Sequence, residues 1–262
     1  MSAFWPVAAA SLGAVALLMT ATALWSRRVG RVAVVDIAWG LAFVVVALVC
    51  ALLADDDVLR SWLLAALVGV WGLRLAWHIR SRAGSGEEDP RYEELLDGGG
   101  FGTAVRKVFL VQALAAWVIS LPLQAAAATS VWTWWLVGAG VAVWGVGFFF
   151  ETVGDAQLAA YKERPKDDRP PVMDQGLWGW TRHPNYFGDA CVWWGIWLAG
   201  GLASGWLPGL LTVVAPIAMT HFIRNVTGAR LLEKTMSERP GWDEYAARVP
   251  LFFPKPPFLQ SS

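Results

Sequence analysis

Ionisable residues interrupt long apolar segments of this sequence. In a bilayer such a side chain costs roughly 2.5–3.5 kcal/mol, so each one requires a partner or a functional role. Asp36 lies near the start of one apolar segment, and Arg74 and His78, spaced i and i+4, share a helix face near the end of the next. A carboxyl beside a cation or an imidazole could polarise a carbonyl and donate a proton. The structural alternatives are an Asp36–Arg74 ion pair and an interfacial position for His78.

A second polar cluster occupies residues 174–189, directly before and into a later apolar segment. Gly176 permits a turn, and Pro184 suits the first turn of a helix. Arg182 and His183 beside that helix N-terminus predict an anion site, for which phosphates are the expected ligands. The C-terminal tail adds cations, an acid and a phenol: Arg224, Arg230, Glu233, Lys234, Tyr245 and Arg248.

Composition defines the environment in which these residues act. Of 262 residues, 56% are hydrophobic and only 16% are charged, and the mean hydropathy of +0.45 is that of an integral membrane protein. The formal net charge of zero gives no support for a nucleic-acid-binding surface. Cys50 and Cys191 both lie in apolar runs, so we expect neither a disulfide framework nor a metal site.

The apolar segments predict an all-α, polytopic bundle of seven transmembrane helices in a single membrane domain, 1–262. The expected spans are 4–25, 32–54, 59–79, 108–129, 131–150, 187–203 and 206–223. Nearly all of the 21 Lys and Arg residues fall in every second loop between the spans and in the C-terminal tail, which this topology places on the same side of the membrane. The positive-inside rule therefore predicts an N-terminus outside and a C-terminus in the cytosol. Arg60 is assigned to the short loop on the outer side of the membrane, together with Asp55–Asp57.

With this topology, the polar residues converge on the cytosolic half of the bundle. Glu151 and Asp155 end the fifth span, Asp189 begins the sixth, and His221 and Arg224 end the seventh. The outer half holds almost nothing ionisable. Solvated helix ends are the alternative for Glu151 and Asp155, but confinement to one leaflet favours a site open to the cytosol.

The C-terminal motifs resemble those of the steroid 5-alpha-reductase-like membrane reductases, most closely their bacterial, DUF1295-type branch. The residues that carry the resemblance are Gly176–Trp178, Thr181–Asp189, Leu231–Glu233, Tyr245 and Arg248–Pro250. Arg74 and the loop 82–92 are also similar to that branch, so the resemblance covers most of residues 32–254.

The resemblance implies that spans within 1–130 face a lipophilic substrate and that residues 131–262 bind NADPH. The implied cofactor-binding residues are Asp155, Lys162, Arg182, His183, Asn185, Tyr186, Asp189, Arg224, Glu233, Tyr245 and Arg248. In the resembled family a glutamate and a tyrosine on the second and third spans polarise the substrate enone. Asp36 stands for the glutamate, whereas Trp71 aligns with the tyrosine, so His78 becomes the expected proton donor, with Arg74 beside it.

The function expected from this resemblance is hydride transfer from NADPH to an activated C=C of a steroid, isoprenoid or fatty acyl lipid, in the cell membrane of a bacterium. An S-adenosylmethionine-dependent carboxyl methyltransferase of the isoprenylcysteine type is the enzymatic alternative. A non-catalytic protein that binds membrane lipids is the alternative from a different class.

Overall fold

The computed structural model describes residues 3–83, 88–226 and 228–256, and every regular element in these ranges is helical. Residues 84–87 of the loop motif lie outside the described residues. The principal helices are α1 (Phe4–Val29), α2 (Val34–Leu52), α3 (Val58–Arg82), α4 (Pro90–Leu96), α5 (Phe101–Ile119), α6 (Leu121–Ala127), α7 (Trp134–Glu163), α8 (Pro184–Ile196), α9 (Trp206–Asn225), α10 (Ala229–Met236) and α11 (Trp242–Arg248).

Six of these helices are long and apolar enough to cross a membrane: α1, α2, α3, α5, α7 and α9. Their outward faces carry large apolar side chains, and Leu17, Leu52 and Trp77 are 70–75% exposed. Such exposure over several helices is typical of surfaces that contact lipid. The predicted helical class and multi-pass membrane character are therefore confirmed.

The helix boundaries differ from the predicted spans in two places. The predicted span 108–129 is interrupted after Ile119, and α6 begins immediately before Pro122, which favours a helix start. The predicted span 187–203 is divided between α8, which has 13 residues, the π turn Trp197–Gly201 and the 3-10 turn Leu202–Ser204. This segment is absent from the six candidate spans found among the described residues.

The chain separates into two compact units, which we describe individually. Unit 1 comprises residues 1–137 and 197–215, and unit 2 comprises residues 138–196 and 216–262. In unit 1, α1 and α5 pack side by side and antiparallel: Trp117 Nε1 donates to the Ala8 carbonyl at 2.9 Å, while the Arg27 guanidinium lies 5.3 Å from the centroid of the Phe101 ring at the opposite end.

Glycines allow α2 and α3 of unit 1 to approach closely. A Cβ built on Gly40 would lie 2.6 Å from the Gly72 carbonyl oxygen, and one on Gly72 would lie 2.7 Å from the Gly40 carbonyl oxygen. Both distances are below normal van der Waals contact. The crossing places Phe43 on α2 against Trp71 on α3, with ring centroids 5.6 Å apart and both side chains fully buried.

Gly72→Ala is expected to destabilise the protein, because an added methyl group forces the two backbones apart. Overpacking of this kind typically costs about 1–3 kcal/mol. Gly69→Ala on the same helix is the matched control, since a Cβ there meets nothing within 4 Å. Thermal unfolding in detergent measures both, and equal melting temperatures for the two variants would contradict the close crossing.

A buried arginine joins three elements of unit 1 and corrects the assignment of Arg60 to a loop. α3 begins at Val58, so Arg60 lies in its first turn, where its side chain is fully buried. The guanidinium donates to Ser204 Oγ at 3.1 Å and to the carbonyls of Ala126 at 2.7 Å and Thr129 at 2.5 Å. Arg60 is therefore a buried residue of α3 rather than a residue of the loop before it.

Candidate functional site

The first candidate cluster lies in unit 1, around the carboxylate of Asp36 in the first turn of α2. The phenol of Tyr92 donates to Asp36 Oδ1 at 2.5 Å, and Arg91 Nη2 donates to Asp36 Oδ2 at 3.0 Å. Gln112 of α5 approaches the phenol from another side, with its Nε2 3.4 Å from the Tyr92 oxygen. The carboxylate thus has a phenol and a guanidinium as its immediate partners.

Local sequence explains how Tyr92 reaches Asp36. Asp89 caps α4 by accepting from the Arg91 backbone N–H at 2.9 Å, and Pro90 occupies the first helical position. The carboxylate of Glu88 accepts from the backbone N–H of Ala33 at 2.9 Å and also from that of Val32. This anchors the segment before α4 to the start of α2, where a negative charge is favoured.

Electrostatics keep the Tyr92 phenol protonated. Its side chain is only 7% exposed, and burial, followed by the nearby charge of Asp36, raises its pKa above the ordinary tyrosine value. At the water-facing side of the cluster, the hydrogen bond from Arg91 lowers the pKa of Asp89 below its ordinary value. Tyr92 can therefore act as a hydrogen-bond or proton donor at neutral pH.

The structure changes the partners that the sequence predicts for Asp36. Its cation is Arg91 rather than Arg74. His78 lies on α3 with its Nε2 3.3 Å from the Arg82 guanidinium. Sequence reasoning missed Tyr92 and Gln112 because it sought a tyrosine inside the third span. The Asp89–Pro90 helix start, which places Tyr92 in the first turn of a short helix, was the available signal.

The second candidate cluster lies in unit 2, where α7 and α8 meet. A Cβ on Gly188 would lie 2.5 Å from the Gly147 carbonyl oxygen, so the helices pack at backbone contact. This approach brings Asn185 to Asp155, and Asn185 Nδ2 donates to Asp155 Oδ1 at 3.1 Å. Asp189 is also buried, as is Glu151 on α7. Lys162 is exposed two turns beyond Asp155.

The segment before α8 is joined to the C-terminal tail through one carboxylate. Glu233 Oε1 lies 3.0 Å from Arg182 Nε and 3.1 Å from His183 Nε2. The His183 ring is 2% exposed and stacks on Tyr186 with centroids 5.5 Å apart. The Arg182 guanidinium also lies 5.8 Å from the Trp242 ring centroid. These contacts bring four of the predicted cofactor residues together.

The remaining predicted residues of the tail occupy separate positions within unit 2. Tyr245 is buried, its hydroxyl donates to the Trp178 carbonyl at 2.8 Å, and burial raises its pKa. Arg248 Nη2 donates to Asp174 Oδ2 at 3.0 Å. Both side chains line an open cleft of about 340 Å³. The Arg224 guanidinium lies 5.9 Å from the Phe252 ring centroid.

Metal coordination has no candidate site in the described ranges: no group of three or more His, Cys, Asp or Glu side chains there could hold a metal ion. The donors in both clusters are instead phenol, amide, guanidinium and carboxylate groups. Such groups form hydrogen bonds and ion pairs with organic ligands, and phosphates and hydroxyls suit them well.

Comparison with known proteins identifies the family. The family described as "Protein of unknown function (DUF1295)" matches residues 22–249. The chain belongs to this family. The matched region includes both clusters, and the predicted DUF1295-type membership is confirmed. No curated protein matches the chain. No solved structure matches it either.

Proposed function

We propose that this DUF1295 protein is a membrane reductase that transfers a hydride from NADPH to an activated C=C of a lipophilic substrate, such as a steroid, an isoprenoid or a fatty acyl lipid. The observation that carries the proposal is the buried Tyr92 phenol hydrogen-bonded to Asp36. An acid and a tyrosine polarise the enone in the resembled steroid 5-alpha-reductase-like family, and the Asp36–Tyr92 pair supplies the same two groups from a different part of the chain.

Each residue of the unit 1 cluster has a chemical role in this proposal. The Tyr92 hydroxyl has one proton, which it donates to Asp36 in the free protein. On substrate binding this hydrogen bond would turn to the substrate carbonyl and stabilise the negative charge that develops on its oxygen. Asp36 orients the phenol, and Arg91 balances the charge of Asp36. Gln112 holds the phenol oxygen from the side of α5. The Tyr92 side chain is buried, which strengthens its hydrogen bonds.

NADPH, when bound, supplies the hydride. The residues that would hold it are in unit 2, where cations, the partly buried amide of Asn185 and buried acids match the phosphates and ribose hydroxyls of a dinucleotide. They are Asp155, Lys162, Arg182, His183, Asn185, Tyr186, Asp189, Arg224, Glu233, Tyr245 and Arg248.

The proposal includes seven crossings of a bacterial cell membrane, with the N-terminus outside and the site facing the cytosol. The asymmetry of the basic residues supports this orientation. Support for the seventh crossing comes from the apolar character of residues 187–203.

The purified full-length protein tests the function directly. NADPH oxidation is followed at increasing concentrations of a panel of lipophilic enones, and calorimetry is performed with NADPH, NADH and S-adenosylmethionine. We expect NADPH binding and enone-dependent oxidation. If neither NADPH nor NADH binds at millimolar concentration, the proposed reductase function is contradicted. Binding of S-adenosylmethionine alone would favour the methyltransferase, and cofactor affinity without turnover on any enone would favour a non-catalytic lipid-binding protein.

Asn185→Ala is expected to weaken NADPH binding by about 10–100-fold, the equivalent of a lost hydrogen bond to a charged group together with its positioning of Asp155. Asn225→Ala is the matched control in the same unit. The side-chain amide of Asn225 lies 3.2 Å from His221 Nδ1, and Asn225 is not among the predicted cofactor residues. Calorimetric titration measures both variants. Equal affinities in the two would remove Asn185 from the cofactor site.

A further inference from the structure

Four exposed cations lie at one end of the packed pair α1 and α5 in unit 1. We name Arg27, Arg28, Arg106 and Lys107 the basic patch. The first two are in the last turn of α1, and the other two are in the π turn Val105–Phe109 of α5. The cation–π contact of Arg27 with Phe101 connects the two halves of the patch. π turns inside α-helices frequently mark functional sites.

The depth of the basic patch follows from the contacts of the helix pair. The Trp117–Ala8 hydrogen bond marks the opposite end of the pair. The stretch from Ala8 to Arg27 rises about 28 Å and that from Phe101 to Trp117 about 24 Å, at roughly 1.5 Å per residue. These lengths are close to the ~30 Å hydrocarbon thickness of a bilayer. Arg27 and Arg28 therefore lie at a boundary between lipid and water. Arg106 and Lys107 lie roughly 7–9 Å further into the pair than Phe101, and their long side chains reach back towards this boundary.

One cation of the patch is held in place by a hydrogen bond, and none of the four forms an ion pair with a carboxylate among the described residues. Lys107 Nζ donates to the Leu95 carbonyl at 2.8 Å, which fixes the ammonium group. In the part of the chain that the structure describes, no carboxylate forms an ion pair with any of the four cations.

The surface next to the patch, toward the middle of both helices, is apolar. Leu24 and Trp25 of α1 are more than half exposed, and so is Leu110 of α5. Val111 and Leu114 extend this apolar surface along α5. Fixed cations at the membrane boundary and apolar side chains directly below them match the two parts of a phospholipid, a charged headgroup and acyl chains.

We propose that the basic patch binds an anionic phospholipid. Its phosphate contacts Arg27, Arg28 and Arg106, and its acyl chains lie along the exposed apolar faces of α1 and α5. A headgroup with net negative charge is required, because a zwitterionic headgroup brings its own cation to a site that already holds four. Each Lys or Arg near a membrane surface contributes to the attraction of anionic lipid. The site is independent of the proposed reductase activity.

Thermal unfolding of the full-length protein in detergent, titrated with phosphatidylglycerol, tests the site. We expect a saturable rise in the melting temperature with phosphatidylglycerol and none with phosphatidylcholine of the same acyl chains. Arg28→Gln/Arg106→Gln is expected to weaken the apparent affinity for phosphatidylglycerol by about 10–30-fold, the effect of removing two surface cations. Lys166→Gln/Arg239→Gln, which removes two exposed cations from unit 2, is the matched control and should respond as the unaltered protein does.

Three results would overturn the proposal: an equal response to phosphatidylcholine, an equal response of the two double variants, or an equal response to glycerol phosphate at the same concentration. The last identifies a free-phosphate site rather than a lipid site. Mass spectrometry of copurifying lipid provides a second measurement, in which phosphatidylglycerol should be depleted from the patch variant alone. Unchanged phosphatidylglycerol content in that variant also contradicts the site.

Discussion

Tyr92→Phe is expected to lower enone turnover by about 10²–10⁴-fold, the usual contribution of a positioned proton donor. The variant keeps the aromatic ring and removes only the hydroxyl that donates to Asp36. The Arg91–Asp36 ion pair at 3.0 Å remains, so Asp36 is not left as an uncompensated charge. NADPH affinity should be unchanged, because the predicted cofactor residues are all in unit 2. Steady-state kinetics and calorimetry on the same preparation measure the two effects.

Tyr161→Phe is the matched control for this prediction. Its hydroxyl donates to the Pro170 carbonyl within unit 2 and has no assigned chemical role. If Tyr92→Phe retains turnover within about threefold of the unaltered protein, a difference too small for a lost proton donor, Tyr92 is not the donor. Asp36→Asn adds a second measurement, since it should also reduce turnover while sparing cofactor affinity.

The pH dependence of kcat/KM provides a further measurement on the same group. The raised pKa of Tyr92 means that the protonated, donating form persists at pH values where an ordinary tyrosine, with a pKa near 10, begins to ionise. Turnover should therefore show no loss from Tyr92 ionisation between neutral pH and about pH 10. An alkaline decrease centred below pH 10 that disappears in Tyr92→Phe would contradict the assigned environment.

Arg60→Met is expected to lower the free energy of unfolding by about 2–5 kcal/mol, because two buried carbonyls lose the donor of their hydrogen bonds. Methionine fills much of the volume but leaves the carbonyls of Ala126 and Thr129 without their donor. Each buried unsatisfied acceptor costs about 1–3 kcal/mol. The melting temperature in detergent should fall by roughly 10 °C for a chain of this size.

Arg80→Gln, at an exposed position on the same helix α3, is the control for Arg60→Met and should change stability by less than about 0.5 kcal/mol. Ser204→Ala removes only one acceptor of the Arg60 guanidinium and should lower the free energy of unfolding by about 1 kcal/mol. This milder variant can be measured if Arg60→Met does not fold. Equal melting temperatures for Arg60→Met and Arg80→Gln would contradict a structural role for Arg60.

The residues of the unit 2 cluster were predicted through the family resemblance, and several of them are also close along the chain. Arg182, His183 and Asn185 flank one helix start, and Asp155 lies on the helix packed against it. The contact of Glu233 with Arg182 and His183 required the tail to fold back. Sequence reasoning grouped these residues through a resemblance, while their distances came from the structure.

The unit 1 cluster was predicted only in part. Asp36 stood out because a carboxyl inside an apolar segment is costly. Its partners, Arg91 and Tyr92, lie far along the chain in the short helix α4 of a polar segment. The contacts of Asp89 and Glu88 position this segment against the start of α2. The expected role of His78 remains a prediction, but the structure provides Tyr92 as the group in contact with Asp36.

Hydrophobicity along the chain determined the helical class, the membrane environment and the approximate position of each long helix, because each of these depends on a local run of apolar residues. Tertiary structure decided which polar side chains meet. Arg60 was read as a loop residue, yet the start of α3 buries it against α6 and the turn containing Ser204. Such pairings depend on helix rotation, close glycine contacts and chain reversals, and these are fixed by packing between residues distant in sequence rather than by any local pattern.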